Sequence, residues 1–157
     1  MRSKVVLTGL LLLLVFASLS FKCDGGPPPD NSPFRAAAKA SDDIAAGIHT
    51  MITVKRALAK AGTLKPAEEK PLNDALLKLT AADKAFLREV NAVKSSADAS
   101  TNKPKLCTAL AALTAALSDV NSGVSPIVHP DAKSKLAAAL ATITSFMPAI
   151  TAVLPCS

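Results

Sequence analysis

Tryptophan and tyrosine are absent from this 157-residue chain, and phenylalanine occurs five times, two of them (Phe16 and Phe21) in the N-terminal segment. A core must then be built from Leu, Ile, Val, Met and much Ala. Small side chains let helices approach closely, which argues against a roomy aromatic-lined pocket for a small molecule. The same lack of aromatic platforms, with no groove-reading motif, excludes nucleic acid as a partner. Histidine appears only as His49 and His129, far apart, and there is no CxxC, CxxCH or HExxH. Metal or haem chemistry needs clustered ligands, so no metal and no cofactor is expected. His49 follows an apolar stripe residue and belongs on its flank, while His129, between Val128 and Pro130, belongs in a loop where it caps the last helix.

Catalytic constellations are missing as well. Nucleophilic chemistry needs a Ser or Cys activated by a neighbouring base, and no such arrangement is written in the chain. The paired carboxylates Asp42 with Asp43 and Glu68 with Glu69 are adjacent in sequence. On a helix such neighbours diverge by about 100°, so they read as ordinary solvated charges. An enzyme is not expected.

What the chain does contain is helical periodicity. Leu106, Leu110, Leu113, Leu117 and Val120 form one stripe, and Leu136, Leu140, Ile143, Met147, Ile150 and Leu154 form another. Each steps by alternating fours and threes, the mark of a helix with one buried seam. Gly123 stands where a helix C-terminus wants a residue at positive φ, and Pro126 and Pro130 prevent one continuous helix. The result is a helical hairpin whose open end carries Cys107 and Cys156, read as a disulfide. Pro148 removes the hydrogen bond to the Thr144 carbonyl and should bend the second helix, while Ile150 and Leu154 still gain by staying on the core.

Upstream, Ser32 and Pro33 make a helix start, and the first helix runs to Ala61 with Gly62 closing it. Its stripe is Phe34, Ala37, Ser41, Ile44, Ile48, Met51 or Ile52, and Leu58, with Lys55 and other charges off it. Lys65 and Pro66 open an acidic turn containing Glu68 and Glu69, and Pro71 predicts a separate turn or a bend before the second helix. Beyond it Leu72, Leu76, Leu79, Asp83, Phe86, Val90, Val93 and Ala97 keep the step. Asp83 is the intruder, and Ala82 is expected to turn inward in its place. Residues 95–105 read as a linker. The expected fold is therefore all-α, an antiparallel up-down four-helix bundle over residues 33–157. The first two helices should reach about 45 Å and the third nearer 30 Å.

The N-terminus carries a different message. Arg2 and Lys4 precede the apolar run from Val5 to Phe21, the layout of an export signal, with Ser18 and Ser20 small at the positions a signal peptidase inspects. Residues 1–22 are thus an export signal cleaved after Ser20, or else an uncleaved membrane anchor near the short limit for a bilayer of about 30 Å. Residues 23–32 are a Gly/Pro-rich flexible spacer. Cys23 is left over once Cys107 and Cys156 are paired. Its place between signal and spacer resembles the lipid-attachment site of bacterial lipoproteins, from which Phe21 and Lys22 depart. A free or intermolecularly paired thiol and a reshuffled disulfide are the alternatives.

The formal charge of +6 falls to +4 without the segment carrying Arg2 and Lys4. Lys55, Arg56, Lys60, Lys65 and Lys70 gather where the first helix turns into the second. Anionic membrane head groups or envelope polymers would fit such a patch, and a plain solvated helix end is the simpler reading. The expectation is an exported protein, periplasmic or extracellular, soluble or anchored through its N-terminus. It would act as a non-catalytic binding or structural module at or near a cell envelope. The alternative is a carrier of an apolar ligand such as a lipid, held between helices that the Pro148 break splays.

Overall fold

The Gly62 backbone shows how local chemistry sets the architecture. The structure is a computed structural model that describes residues 33–95, 99–154 and 156, and in it Gly62 has φ +72°. The helix α1, Pro33–Lys60, ends there. The Gly62 N–H donates to the Ala59 carbonyl at 3.0 Å and the Thr63 N–H to the Leu58 carbonyl at 3.1 Å. These paired bonds satisfy the last carbonyls of the helix and turn the chain sharply. Leu64 is buried beside the turn and delivers the chain to α2, Pro66–Ser95. Lys65 donates its backbone N–H to the Glu68 carboxylate at 2.9 Å, the half of a capping box that ties the first turn of a helix to the residue before it.

The next helix, α3, spans Ala99–Val124. After a loop come α4, Pro130–Thr144, and α5, Met147–Val153. The described residues are helical or in turns, without strands. They belong to the unit Asn31–Ser157. Cys23, Ser32, the segment 1–22 and the spacer lie outside the described residues.

The core follows the stripes. On α1, Ala37, Ser41, Ile44, Ile48, Met51, Lys55 and Leu58 are all buried, an unbroken run of fours and threes. Leu72, Leu76, Leu79, Phe86 and Val90 of α2 face Leu106, Leu113 and Val120 of α3 within one cluster, to which α4 and α5 add Leu136, Ile143 and Ile150. α2 with α3 is the most extensive helix pair, followed by α1 with α2 and by α1 with α4 and α5. α3 and α4 touch far less. Two glycines mark close helix approach: a Cβ on Gly47 of α1 would clash at 2.7 Å with Ile143 on α4, and one on Gly123 would sit tightly, 3.3 Å from the Leu72 backbone.

Several expectations are corrected here. Gly123 is inside α3 and is there for close approach, not for positive φ. Residues 99–105 of the expected linker are helix, so α3 has 26 residues and reaches about 39 Å, not 30 Å. Pro71 and Pro104 lie within α2 and α3. Each is the sixth residue of its helix, where the only bond lost is to the second residue's carbonyl, so neither forces a separate turn. At Pro148 the helix divides instead of bending: α4 stops at Thr144 and α5 restarts at Met147 with Pro148 in its first turn. The seam nevertheless continues, because Ile150 and Leu154 are buried.

Candidate functional site

The basic residues do not form the patch that their spacing suggests. Lys55 is only 5% exposed, and its ammonium is held by Glu69 at 3.0 Å and Asn73 at 3.1 Å. Position 55 continues the α1 stripe, which places it against α2 instead of in water. Lys70 is exposed but paired with Asp74 at 3.0 Å, one turn along α2. Arg56, Lys60 and Lys65 are the exposed remainder, in no ion pair among the described residues. A single basic cluster is thus reduced to three side chains around the α1–α2 turn.

Polar chemistry inside the bundle lies elsewhere. Ser41 on α1 and Asp83 on α2 are both buried, and the Ser41 hydroxyl donates to the Asp83 carboxylate at 2.7 Å. Asp83 itself occupies the seam, and Ala82 is only half-buried, the reverse of the expected rotation. A hydrogen bond across the helix pair makes the carboxyl tolerable where an unpartnered one would not be. Burial still pushes the Asp83 carboxyl above its ordinary value. The Ser41 bond opposes that, and Asp42 nearby adds to it.

Glu68 is likewise more than a solvated charge. One carboxylate oxygen accepts from the Lys65 N–H and the other from the Val128 N–H, 60 residues away in the α3–α4 loop, each at 2.9 Å. The Val128 bond first, and the Lys65 bond second, hold the Glu68 carboxyl below its ordinary value. Nothing in the local sequence signals the long-range partner, because a backbone N–H carries no residue identity.

His49 is exposed on α1. His129 takes the N-cap position of α4, yet its imidazole makes no capping bond. The cap works through its carbonyl, which accepts from the Lys133 N–H at 2.9 Å. Among the described residues no three His, Cys, Asp or Glu side chains gather as metal ligands. Cys107 and Cys156 are joined as a disulfide with Cα atoms 5.4 Å apart, so the tail beyond α5 is fastened to α3.

An open surface lies between α3 and the helix that leads to that tail. From Leu106 to Ser118 and from Leu136 to Ser157 the sequence has no charged residue and no histidine. In a chain where 19% of residues are charged, that is a local feature of one face. By length and composition alone Pro130–Val153 would pass for a membrane span, and 22% of its apolar 18-residue window is buried. Its break after Thr144 and its seam into the core instead suit a bundle helix with an apolar outer face. On this side of the bundle is an open groove of about 360 Å³, lined by Leu117, Ser118 and Asn121 of α3 and Ala137, Leu140, Ala141 and Thr144 of α4. The two leucines form its floor, since both are buried, and the alanines leave it unfilled. Comparison of the chain with protein-family models, curated proteins and solved structures returns no match.

Proposed function

We propose that this protein is an exported, non-catalytic helical bundle that acts as a binding or structural module at or near a cell envelope. It stands behind a signal or anchor at residues 1–22 and a spacer at 23–32. The bundle is read as antiparallel and up-down. In support, partners on α1 and α2 run in opposite directions: Ser41 meets Asp83 while Lys55 meets Asn73 and Glu69. The same holds for α2 and α3, where Leu72 lies against Gly123 and Lys78 pairs with Asp119.

The observation that carries the function is the uncharged face of α3, α4 and α5, apolar in composition yet left uncovered. A surface of that kind suits contact better than solvation. The disulfide favours an oxidising compartment. Arg56, Lys60 and Lys65 offer a secondary contact for anionic envelope material.

The test is to express the full chain with its own N-terminus, fractionate the cells and weigh the product. The expected product is exported, begins at Phe21 and has Cys107 and Cys156 oxidised. A start at Cys23 with added acyl mass makes it a lipoprotein, and retention of the first twenty residues in a membrane fraction makes it an anchored bundle. Cytosolic recovery with all three thiols free overturns the proposal.

The second reading, a carrier of an apolar ligand, is favoured by the α3–α4 groove, whose size falls within the roughly 300–1,000 Å³ of small-molecule sites. The ligand would lie in that surface channel and not inside the core, which is filled at its centre by Phe86, Leu79, Leu113 and Ile143.

A further inference from the structure

We propose that the groove between α3 and α4 binds a single-chain anionic amphiphile, a free fatty acid, with its hydrocarbon over Leu117 and Leu140 and its carboxylate at Lys133. The inference rests on the carrier reading and adds the head group, the orientation and the chain length.

The orientation comes from an asymmetry of charge along the groove. Lys133 precedes Ala137 by one turn, on the same side of α4. Its ammonium crosses to the end of α3 and donates to the Ser125 carbonyl at 2.7 Å. Ser125 in turn follows the groove residue Asn121 by one turn, and its N–H donates to the Asn121 carbonyl. A cation therefore stands at the loop end of the groove. The other lysine of α4, Lys135, is paired with Asp131 at 2.9 Å, whereas Lys133 takes part in no ion pair among the described residues. An ammonium has three protons, so Lys133 keeps two for a ligand oxygen. Towards the disulfide the groove opens onto the uncharged stretches, where no ion has to be desolvated. One charged end and one bare end select a ligand with a single anionic head.

Thr144 adds little polarity at the tail end, because its hydroxyl donates to the Leu140 and Ala141 carbonyls. From Lys133 to Thr144 the helix advances about 17 Å, the reach of an extended chain of roughly a dozen carbons.

Two other occupants fit less well. Membrane-surface helices insert large apolar side chains into the bilayer, and the exposed large hydrophobic residues among the described ones, Leu77 and Val128, line no part of the groove. A second copy would need a protruding side chain to fill its partner's groove. The exposed residues of this face are mainly Ala, Thr and Ser.

The test measures binding of dodecanoate and of dodecanol, both below their aggregation limits, to the full-length mature protein by calorimetry. Lys133→Gln removes the cation, and Ala141→Trp fills the groove at an exposed position, with circular dichroism and thermal melting to show that both variants fold. The expected result is one dodecanoate per chain, weakened about fivefold by Lys133→Gln, the worth of an exposed ion pair. Dodecanol binding should be unchanged by that variant, and Ala141→Trp should abolish both. Equal affinity for acid and alcohol, with Lys133→Gln silent, overturns the head-group assignment and leaves the carrier reading standing. Binding that survives Ala141→Trp overturns the site. No binding of either probe overturns the inference and the carrier reading together.

Discussion

Ser41 and Asp83 occupy seam positions that their neighbours fill with Ala, Ile and Leu, and the two side chains are tolerated because they meet. Removing the donor alone is the costly change. Ser41→Ala leaves a buried carboxylate without its partner, and chemical denaturation should show a loss of about 1–3 kcal/mol. Asp83→Asn should do the opposite at neutral pH, because an amide oxygen keeps the bond while the charge disappears. The folded chain holds the Asp83 proton more tightly than the ordinary value of 3.8 allows. The stability this provides is fully present below that value and is lost as pH rises through the higher folded one. Urea melts should therefore find Asp83→Asn more stable than wild type at pH 7, with the gap narrowing towards pH 4. A variant less stable than wild type at pH 7 would contradict this. Glu68 works with the opposite sign: its contribution is present above its ordinary value and lost as pH falls through the lowered folded one. The stripe places position 41 on the core, whereas the expectations that Lys55 lies off the stripe and that Ala82 replaces Asp83 both fail in the structure. What the stripe lacks is the partner, since a polar residue in a seam reads as an exception until its hydrogen bond from another helix is seen.

Helix boundaries in this chain are set by single residues, and the best example of a helix pair depending on one atom is Gly47. Glycine in mid-helix is ordinarily a loss of about 1 kcal/mol relative to alanine. Here an added Cβ would meet Cγ1 of Ile143 at 2.7 Å, and Ile143 is fully buried. Gly47→Ala is expected to be a net destabilisation, because overpacking of a filled core costs about 1–3 kcal/mol and outweighs the propensity gain. A thermal melt at or above the wild-type midpoint would show that α4 can move aside at no cost. Elements with an apolar step of four and three were legible from the sequence, as were the Gly62 turn and the continuation of the last seam to Leu154. The start of α3 was not. Polar residues 95–105 look like a linker, yet a helix hides its N-terminal turns from the hydrophobic pattern, and Pro104 near that end does not break it. The candidate groove was illegible for a related reason: it is bounded by alanines, which carry no signal for which face they are on.

At the scale of the molecule the bundle is a ring closed unevenly. Broad contact joins α1 to α2, α2 to α3, and α4 and α5 back to α1, while α3 meets α4 only slightly. On that side two fastenings act at opposite ends. The loop is held by Glu68 to Val128 and by Lys133 to Ser125, and the far end by Cys107 to Cys156. The seven-residue α5 buries Ile150, and Leu154 just after it is buried too, but the helix is too short to be stable in isolation. The disulfide should therefore matter most for the last segment. With a sequence separation of 49, the chain-entropy model gives the bridge about 4 kcal/mol. The paired variant Cys107→Ser with Cys156→Ser should lower the melting temperature on the order of 10–20 °C. Hydrogen exchange should then separate local from global effects. Under native conditions the amides of Ile150 to Leu154 are expected to lose protection first, while those of α2 and α3, the most extensive pair, keep theirs. Equal loss throughout would mean that the ring opens as one unit, and an unchanged melting temperature would mean that α5 is held by its apolar contacts with α1 alone.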